Sequence, residues 1–270
     1  MKNITEKKEG QRKMLLAIDV GNTNIKVALF DGDNIVSSFR LTTKTPRTSD
    51  EFGIALTALL KSDGYEVGNV DAVIVASVVP DVMHALINAS IKYLGTKPLV
   101  VGPGTKTGIR LIKTNPAEVG PDRIVDAVAA LALYGGPIIV VDYGTATKFD
   151  FFTADGGFES AVTCPGIMLS MRALWGGTAM LPEIQIKDPG TIMAKNTETS
   201  LQAGILYGKI GEAEYIIDRL KKESGLDPDT IKVVATGGLA ATIAEATDRI
   251  QYLEPNLTMY GLKIIYDKNR

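Results

Sequence analysis

The chain has 270 residues, of which 45% are hydrophobic, 22% charged and 6% aromatic, and its formal net charge is −2 at pH 7. This composition is typical of a globular protein of one or two domains, and a charge so close to zero gives no electrostatic signature of binding to nucleic acid or to an anionic membrane. A single cysteine, Cys164, excludes an intramolecular disulfide, and a single histidine, His84, disfavours a histidine metal cluster or a Ser-His-Asp triad. Proton transfer therefore falls to carboxylates, lysines or tyrosines.

The first residues lack the features of a targeting segment. Residues 1–13 (MKNITEKKEGQRK) are polar and charged, without the apolar core of a signal peptide, and predict a disordered extension before the fold begins at Met14. No apolar run reaches the length of a membrane span. We therefore expect a cytoplasmic protein that has no membrane partner.

The first half of the chain predicts a mixed sheet with helices packed on it. Apolar runs and turn residues indicate three consecutive antiparallel strands, then a helix, a buried strand, a second helix and a last buried strand. Gly and Pro are frequent after residue 101, which predicts a loop with a domain boundary near its end. The predicted elements are strands at 15–18, 25–30, 34–41, 71–77 and 97–101, a helix at 50–61 capped by Ser49 or Asp50, and a helix at 80–94.

The second half predicts a similar alternation of strands and helices. A helical pattern begins at Asp122 and ends at Gly135-Gly136, and Thr197 or Asn196 is placed to cap the longest helix. The predicted elements are helices at 122–134, 167–175, 197–222, 239–247 and 257–266 and strands at 138–141, 148–152, 158–164, 231–236 and 251–253.

One short polar stretch recurs in the two halves. Residues 19–24 (DVGNTN) lie between two apolar runs, and residues 142–147 (DYGTAT) repeat the pattern 123 positions later. Small polar residues of this kind form tight hairpin turns, whose exposed N–H groups, hydroxyls and adjacent acid suit a triphosphate and its metal. An ordinary hairpin turn explains either stretch taken alone. The recurrence predicts duplicated units, with domains at 14–115 and 116–270.

The chain resembles the type III pantothenate kinases, which belong to the superfamily of acetate and sugar kinases, Hsp70 and actin. The resemblance extends from Met14 to the C-terminus, and its specificity comes from the order and spacing of motifs that are weak when taken singly. It implies an α/β protein with two duplicated ribonuclease-H-like (actin-like ATPase) domains, whose mixed sheets surround a nucleotide cleft. The motifs are DVGNTN at 19–24, SVVP at 77–80, VVGPGTKTG at 100–108, NPAEVGPDRIVDAVAA at 115–130, VVDYGTAT at 140–147, CPGI at 164–167, KNTETSLQAG at 195–204 and ATGGLA at 235–240.

The resemblance implies an ATP site that uses both hairpins. Asp19 would also bind Mg²⁺ through water, because Mg²⁺ keeps part of its hydration shell. Asp142 is similar to the residue that holds a monovalent cation, K⁺ or NH₄⁺, although a turn-capping carboxylate is the simpler reading of that residue. The residues implied in ATP binding are Asp19, Val20, Gly21, Asn22, Thr23, Asn24, Ile25, Lys26 and Thr145.

The resemblance also implies a pantothenate site at the start of the helix that begins near Asp122. Asp122 would act as the general base that takes the proton of the 4′-hydroxyl, and attack on the γ-phosphate would give 4′-phosphopantothenate, in the first step of coenzyme A synthesis. Arg123 would pair with the substrate carboxylate or a phosphate oxygen, Gly237-Gly238 would let adenosine approach the backbone, and the enzyme would be a homodimer with a shared active site. A helix acid and a helix cap are the simpler readings of Asp122 and Thr197. The implied substrate-binding residues are Gly120, Pro121, Asp122, Arg123 and Thr197.

Several residues depart from the family pattern. Pro121 replaces alanine, Lys113 replaces an aromatic residue, Lys148 replaces a small residue, and Glu159-Ser160 replaces two glycines. These departures keep two alternatives open: a kinase for another small alcohol, and a nucleotide-binding accessory or regulatory protein without catalytic activity.

Overall fold

The computed structural model describes residues 14–112, 115 and 118–270, so the predicted extension at 1–13 and Lys113 lie outside the described residues. The chain forms two compact units. The first contains the described residues up to Lys106 together with Thr258–Arg270, and the second contains Thr107–Leu257. Within the described residues, no helix is both long enough and apolar enough to cross a membrane.

The described elements alternate between strands and helices along the whole chain. In chain order they are β1 (Met14–Val20), β2 (Asn24–Asp31), β3 (Asn34–Thr42), α1 (Ser49–Ser62), a 3₁₀ turn (Val67–Asn69), β4 (Val70–Ser77), α2 (Pro80–Leu94), β5 (Leu99–Val100), β6 (Arg110–Leu111), α3 (Pro121–Tyr134), β7 (Ile138–Tyr143), β8 (Ala146–Phe152), β9 (Gly157–Pro165), α4 (Ile167–Gly176), α5 (Thr197–Glu223), a 3₁₀ turn (Pro228–Thr230), β10 (Lys232–Gly237), α6 (Ala240–Ala244), β11 (Tyr252–Leu253) and α7 (Leu257–Asn269).

The two sheets share one topology. The first has the order β3-β2-β1-β4-β5, and the second has the order β9-β8-β7-β10-β11 with β6 added beyond β9. In each sheet the first three strands are antiparallel, and the fourth runs parallel to the first. The third strand of each sheet also contains one unpaired residue, Val36 in β3 and Glu159 in β9, that bulges against its neighbour. A shared strand order and a shared bulge position are what a duplication predicts.

Each sheet is covered by helices that the apolar pattern of the sequence specifies. In the first unit, Phe52, Leu56 and Leu60 of α1 are buried with strand residues such as Leu16 and Ile18. In the second unit, one face of the sheet packs against apolar residues of α5. Side chains of this kind stabilise a fold by about 1.5–3 kcal/mol each when fully buried.

The structure corrects several predicted boundaries. Helix α1 is capped by Thr48, not by Ser49 or Asp50, because Thr48 and Glu51 form a reciprocal capping box. The loop predicted after residue 101 contains the short strand β6, which pairs in parallel with Gly157 and Phe158 of β9. The two compact units divide between Lys106 and Thr107, and α7 returns to the first unit, where Tyr260 packs edge-on against Phe30. The domain boundary at 115/116 stays a prediction.

Candidate active site

The first hairpin connects β1 and β2 through residues 21–23. Asp19 is 9% exposed and lies directly opposite Lys26 in the register of the two strands. The turn is held by a hydrogen bond from the Gly21 N–H to the Asn24 carbonyl (3.1 Å) and by the Thr43 hydroxyl, which donates to the Gly21 carbonyl (2.7 Å). Val20 and Ile25 are buried, whereas Asn22 and Asn24 are exposed. The hairpin thus combines a fixed backbone with exposed polar side chains, as a phosphate site requires.

The second hairpin connects β7 and β8 through Gly144 and Thr145. Asp142 precedes it, and Lys148 lies directly opposite Asp142 on β8. Thr145 is exposed, and its carbonyl accepts a hydrogen bond from the N–H of Gly166 (3.1 Å). A Cβ atom on Gly166 would lie 2.3 Å from the Thr145 oxygen, so only glycine allows the segment that opens α4 to approach the hairpin this closely.

Gly237 fixes the neighbouring strand end in a similar way. Its φ is +101°, and a Cβ atom there would lie 2.6 Å from the Tyr143 carbonyl oxygen. Glycine at this position therefore serves the packing of β10 on β7, while Gly238 has open space around it. Gly238 leaves room for the close approach predicted for an adenosine, which stays a prediction.

Helix α3 begins at the Gly120-Pro121-Asp122-Arg123 motif. Pro121 is the first helical residue, where its missing N–H costs nothing, so the departure from alanine is accommodated. Asp122 lies in the first turn, where the helix dipole favours a negative charge by about 0.3–1 kcal/mol. The Asp122 side chain is 26% exposed and thus remains accessible to a ligand.

Lys148 links this helix to the second hairpin. Its ammonium donates a hydrogen bond to Oδ2 of Asp122 (2.5 Å) and lies 2.8 Å from Oδ2 of Asp142. Burial alone would lower the pKa of Lys148, but the charges of Asp142, Asp122 and Asp126 outweigh it and raise the pKa well above its usual value. Lys148 is therefore a buried, permanent cation between two of the predicted site carboxylates.

Arg123 has partners within its own unit. One guanidinium nitrogen contacts the Asp150 carboxylate, and another donates to the Thr163 hydroxyl (2.9 Å). Burial raises the pKa of Asp150 to about 6, against the opposing influence of Arg123 and Lys148. The predicted pairing of Arg123 with a substrate carboxylate or phosphate thus competes with an internal ion pair, and it stays a prediction.

These side chains form a polar row across one face of the second sheet. The register pairs Thr163 with Lys148, Lys148 with Asp142, and Asp142 with Thr236 on four adjacent strands. The hydroxyl of Thr236 is buried and has no hydrogen-bond partner among the described residues. The motifs did not single out these threonines, because strand register is what places Thr163 beside Lys148 and Thr236 beside Asp142. Alternation along the strands β7 to β10 is the signal that could have found them.

The predicted metal sites differ in how well the residues fit them. Asp19 offers one carboxylate, which suits Mg²⁺ that arrives with ATP and keeps most of its water ligands. The Asp142 carboxylate already faces the ammonium of Lys148, so the residues present do not fit K⁺ or NH₄⁺ at this position. Within the part of the chain that the structure describes, no three His, Cys, Asp or Glu side chains are arranged to hold a metal ion.

Two other predicted positions are clarified. Asn196 caps α5 by accepting a hydrogen bond from the N–H of Thr199 (2.9 Å), so the simpler reading of Thr197 as the cap is wrong, and Thr197 is exposed.

Glu159 and Ser160 have negative φ, since every positive φ among the described residues belongs to glycine. The substitution of two glycines at this bulge therefore introduces no backbone strain.

Comparisons with known proteins agree with the motif resemblance. Residues 15–219 match the family model described as type III pantothenate kinase. A type III pantothenate kinase of Agathobacter rectalis is 50% identical over 255 residues, which cover 94% of this chain and 97% of the relative.

Two solved structures are similar in fold. A Campylobacter jejuni protein assigned to the Baf family of transcriptional activators has a TM-score of 0.58 and 19% identity, with 94% of this chain and 98% of that one covered. A Sinorhizobium meliloti protein assigned as a 2-dehydro-3-deoxygalactonokinase has a TM-score of 0.56 and 12% identity, with 94% and 96% covered. These likenesses, together with the shared strand order of the two sheets, confirm the predicted duplicated ribonuclease-H-like fold class.

Proposed function

Because this chain belongs to the type III pantothenate kinase family, we propose that it transfers the γ-phosphate of ATP to the 4′-hydroxyl of pantothenate. The products are 4′-phosphopantothenate and ADP, in the first step of coenzyme A synthesis. The observation that carries the proposal is the family match over residues 15–219, because that range contains every predicted site residue from Asp19 to Thr197.

The two hairpins are proposed to hold the phosphates. In the first hairpin, exposed N–H groups and the side chains of Asn22 and Thr23 are proposed to contact the phosphates. Asp19 would hold Mg²⁺ through water, and Lys26 would add a positive charge. In the second hairpin, Thr145 is proposed to contact the phosphates. When bound, Mg²⁺ neutralises the developing charge on the transferred phosphoryl group, so that the protein contributes mainly position and electrostatic stabilisation.

Asp122 is proposed as the general base. Its carboxylate lies at the N-terminus of α3, and among the described residues its hydrogen bond from Lys148 goes to Oδ2. Oδ1 is then the oxygen proposed to accept the proton of the 4′-hydroxyl. As that proton moves to Asp122, the hydroxyl oxygen forms a bond to the γ-phosphorus, and the bond from phosphorus to the bridging oxygen of ADP breaks.

Gly120, Pro121, Arg123 and Thr197 are proposed to complete the pantothenate site. Support comes from the exposure of Thr197, which is not engaged in capping, and from the location of the other three residues beside Asp122. Arg123 is proposed to reach the substrate carboxylate only by exchanging its Asp150 or Thr163 partner.

A homodimer with a shared active site is also proposed. Large apolar side chains are exposed on α4 and in the segment that follows it, and such patches mark interaction surfaces on soluble proteins. The exposed apolar residues are Met168, Leu169, Leu174, Trp175, Met180, Ile192 and Met193.

Localisation in the cytoplasm is proposed from the kinase family and from the reduced state expected for a lone cysteine.

The test is phosphorylation by the purified chain of a panel of small alcohols with Mg²⁺ and ATP. We expect a pantothenate product whose mass has increased by one phosphoryl group and ADP in equal amount. Phosphorylation of another alcohol with none of pantothenate would favour the alternative kinase. ATP binding without turnover of any alcohol would favour the accessory or regulatory protein.

A further inference from the structure

The position implied for a monovalent cation is filled by a side chain of this protein. The ammonium of Lys148 lies 2.8 Å from Asp142 and also donates to Asp122 at 2.5 Å. Both oxygens belong to carboxylates that the family resemblance assigns to the site. A K⁺ ion in contact with the same Asp142 oxygen would need the ammonium to leave.

Strand pairing places Lys148 beside Asp142. Lys148 and Asp142 are direct cross-strand partners, so their Cβ atoms lie on the same face of the sheet at about 4.5–5.5 Å. The Lys148 side chain is 12% exposed and is enclosed by the first turn of α3, so it is not a surface lysine that can swing into water. Departure would leave two partly buried carboxylates, Asp122 and Asp142, without the ammonium that balances their charge, which is costly.

We propose that the ammonium of Lys148 replaces the monovalent cation at Asp142, so that ATP binding and phosphoryl transfer by this chain are independent of K⁺ and NH₄⁺. The identity of the reaction rests on the proposed function, whereas the ion pair does not. Lys148 is a positioning residue here: its charge balances Asp142, and its hydrogen bond to Asp122 fixes the orientation of the proposed base.

The charge of Lys148 equals the charge of the cation that it is proposed to replace. An ammonium and K⁺ each carry one positive charge, so the exchange preserves the field near the phosphates. A tethered ammonium differs in being present at every salt concentration and in donating directed hydrogen bonds. A protein with Lys148 therefore gains nothing at Asp142 from added K⁺.

The first experiment uses the unmodified protein. The initial rate of pantothenate phosphorylation and the dissociation constant of Mg·ATP are measured in KCl, in NH₄Cl and in tetramethylammonium chloride at equal ionic strength. Tetramethylammonium is too large to occupy a K⁺ site, and it has no N–H group with which to replace NH₄⁺. We expect equal values in the three salts, and a loss of tenfold or more in tetramethylammonium, about 1.4 kcal/mol, overturns the proposal.

The second experiment restores the cation requirement. Lys148→Ala removes the ammonium and opens space beside Asp142, whereas Lys148→Met removes the charge but keeps a side chain of similar length. We expect both variants to bind ATP more weakly in tetramethylammonium, by about fivefold or more. K⁺ or NH₄⁺ should restore binding to Lys148→Ala and not to Lys148→Met.

The two readouts separate this inference from the proposed function. If no pantothenate is phosphorylated in any salt, the kinase proposal fails, and the cation inference is still decided by ATP affinity. ATP affinity of Lys148→Ala that is equal in all salts and equal to the wild type overturns the inference even when the kinase is active. A K⁺-dependent rise in the melting temperature of Lys148→Ala, absent from the wild type and from Lys148→Met, supports it independently of both.

Discussion

Asp122→Asn tests the proposed general base with minimal change of shape. Asparagine fills the same volume at the start of α3 but cannot accept the proton of an alcohol. Its amide oxygen can still accept a hydrogen bond from Lys148, which retains Asp142 as a charged partner. The substitution therefore removes the chemistry and one charge while leaving the local geometry in place.

The size of the effect follows from the role assigned to Asp122. A positioned general base contributes about 10²–10⁴ in rate, which corresponds to about 2.7–5.4 kcal/mol in activation free energy. We expect kcat to fall by this factor, with a smaller change in the KM for ATP. The free energy of unfolding should fall by about 1.5–3 kcal/mol, because a charge-assisted hydrogen bond is replaced by a weaker one.

The chain offers a matched control in the first unit. Helix α2 begins with Pro80-Asp81 just as α3 begins with Pro121-Asp122, so Asp81→Asn removes an equivalent first-turn acid. We expect Asp81→Asn to cost about 0.3–1 kcal/mol in stability and nothing in kcat. Two assays are used: ADP release in the steady state gives kcat, and the formation of phosphopantothenate is followed in a single turnover. If kcat of Asp122→Asn stays within tenfold of the wild type, Asp122 is not the base.

Three further predictions concern the surroundings of the site. Burial raises the pKa of Asp150 to about 6, so between about pH 4 and pH 6 the folded state binds more protons than the unfolded state. The free energy of unfolding should then fall by up to about 3 kcal/mol as pH rises through this range, and Asp150→Asn should abolish that fall, as measured by urea denaturation. Gly166→Ala should displace the second hairpin and weaken ATP binding by about tenfold or more, because the added Cβ would meet a carbonyl oxygen at 2.3 Å. Trp175→Glu should shift the protein from dimer to monomer in light scattering, because it places a charge in the exposed apolar patch.

Each of these predictions has a control and a contradictory outcome. A stability difference between wild type and Asp150→Asn that is constant from pH 4 to pH 6 would refute the assigned burial effect. Gly176→Ala, at the other end of α4, adds a Cβ into open space and should leave ATP affinity unchanged. Ile54→Glu changes an exposed apolar residue of α1 and should leave the mass unchanged. A dimer that survives Trp175→Glu intact would exclude this patch as its interface.

Much of the fold could be predicted because local patterns and tertiary structure agree. Helix α2 was predicted with its observed bounds, since Pro80 favours the first turn and Gly95 adopts the left-handed conformation that ends it. The buried strand runs and the repeated hairpins predicted the duplication. Short elements were missed or misplaced where pairing, not propensity, creates them: β6 has two residues and exists through its contact with β9.

The motifs predict the residue types of the candidate site, but not the partners that these residues have in the fold. The sequence identifies Lys148 only as a departure from the family pattern, because sequence spacing does not reveal which residue faces it. The register of β7 and β8 places Lys148 opposite Asp142, and the entry of α3 brings Asp122 to the same ammonium. Likewise, the motif predicted a ligand for Arg123 but gave no sign of its contact with Asp150, 27 residues further along the chain. Such pairings depend on tertiary structure.

The pairing of Lys148 with Asp142 changes what Asp142 can contribute to catalysis. A carboxylate whose charge is balanced by a fixed ammonium is a poor ligand for a second cation, so under the proposed function we expect Asp142 to act on ATP only through Lys148 and the backbone of Gly144 and Thr145. The same ammonium donates to Asp122, so under the proposed function one side chain controls both the charge near the phosphates and the orientation of the proposed base. Loss of Lys148 should therefore affect nucleotide binding and proton transfer together, whereas loss of a bound K⁺ would be expected to act on the nucleotide alone.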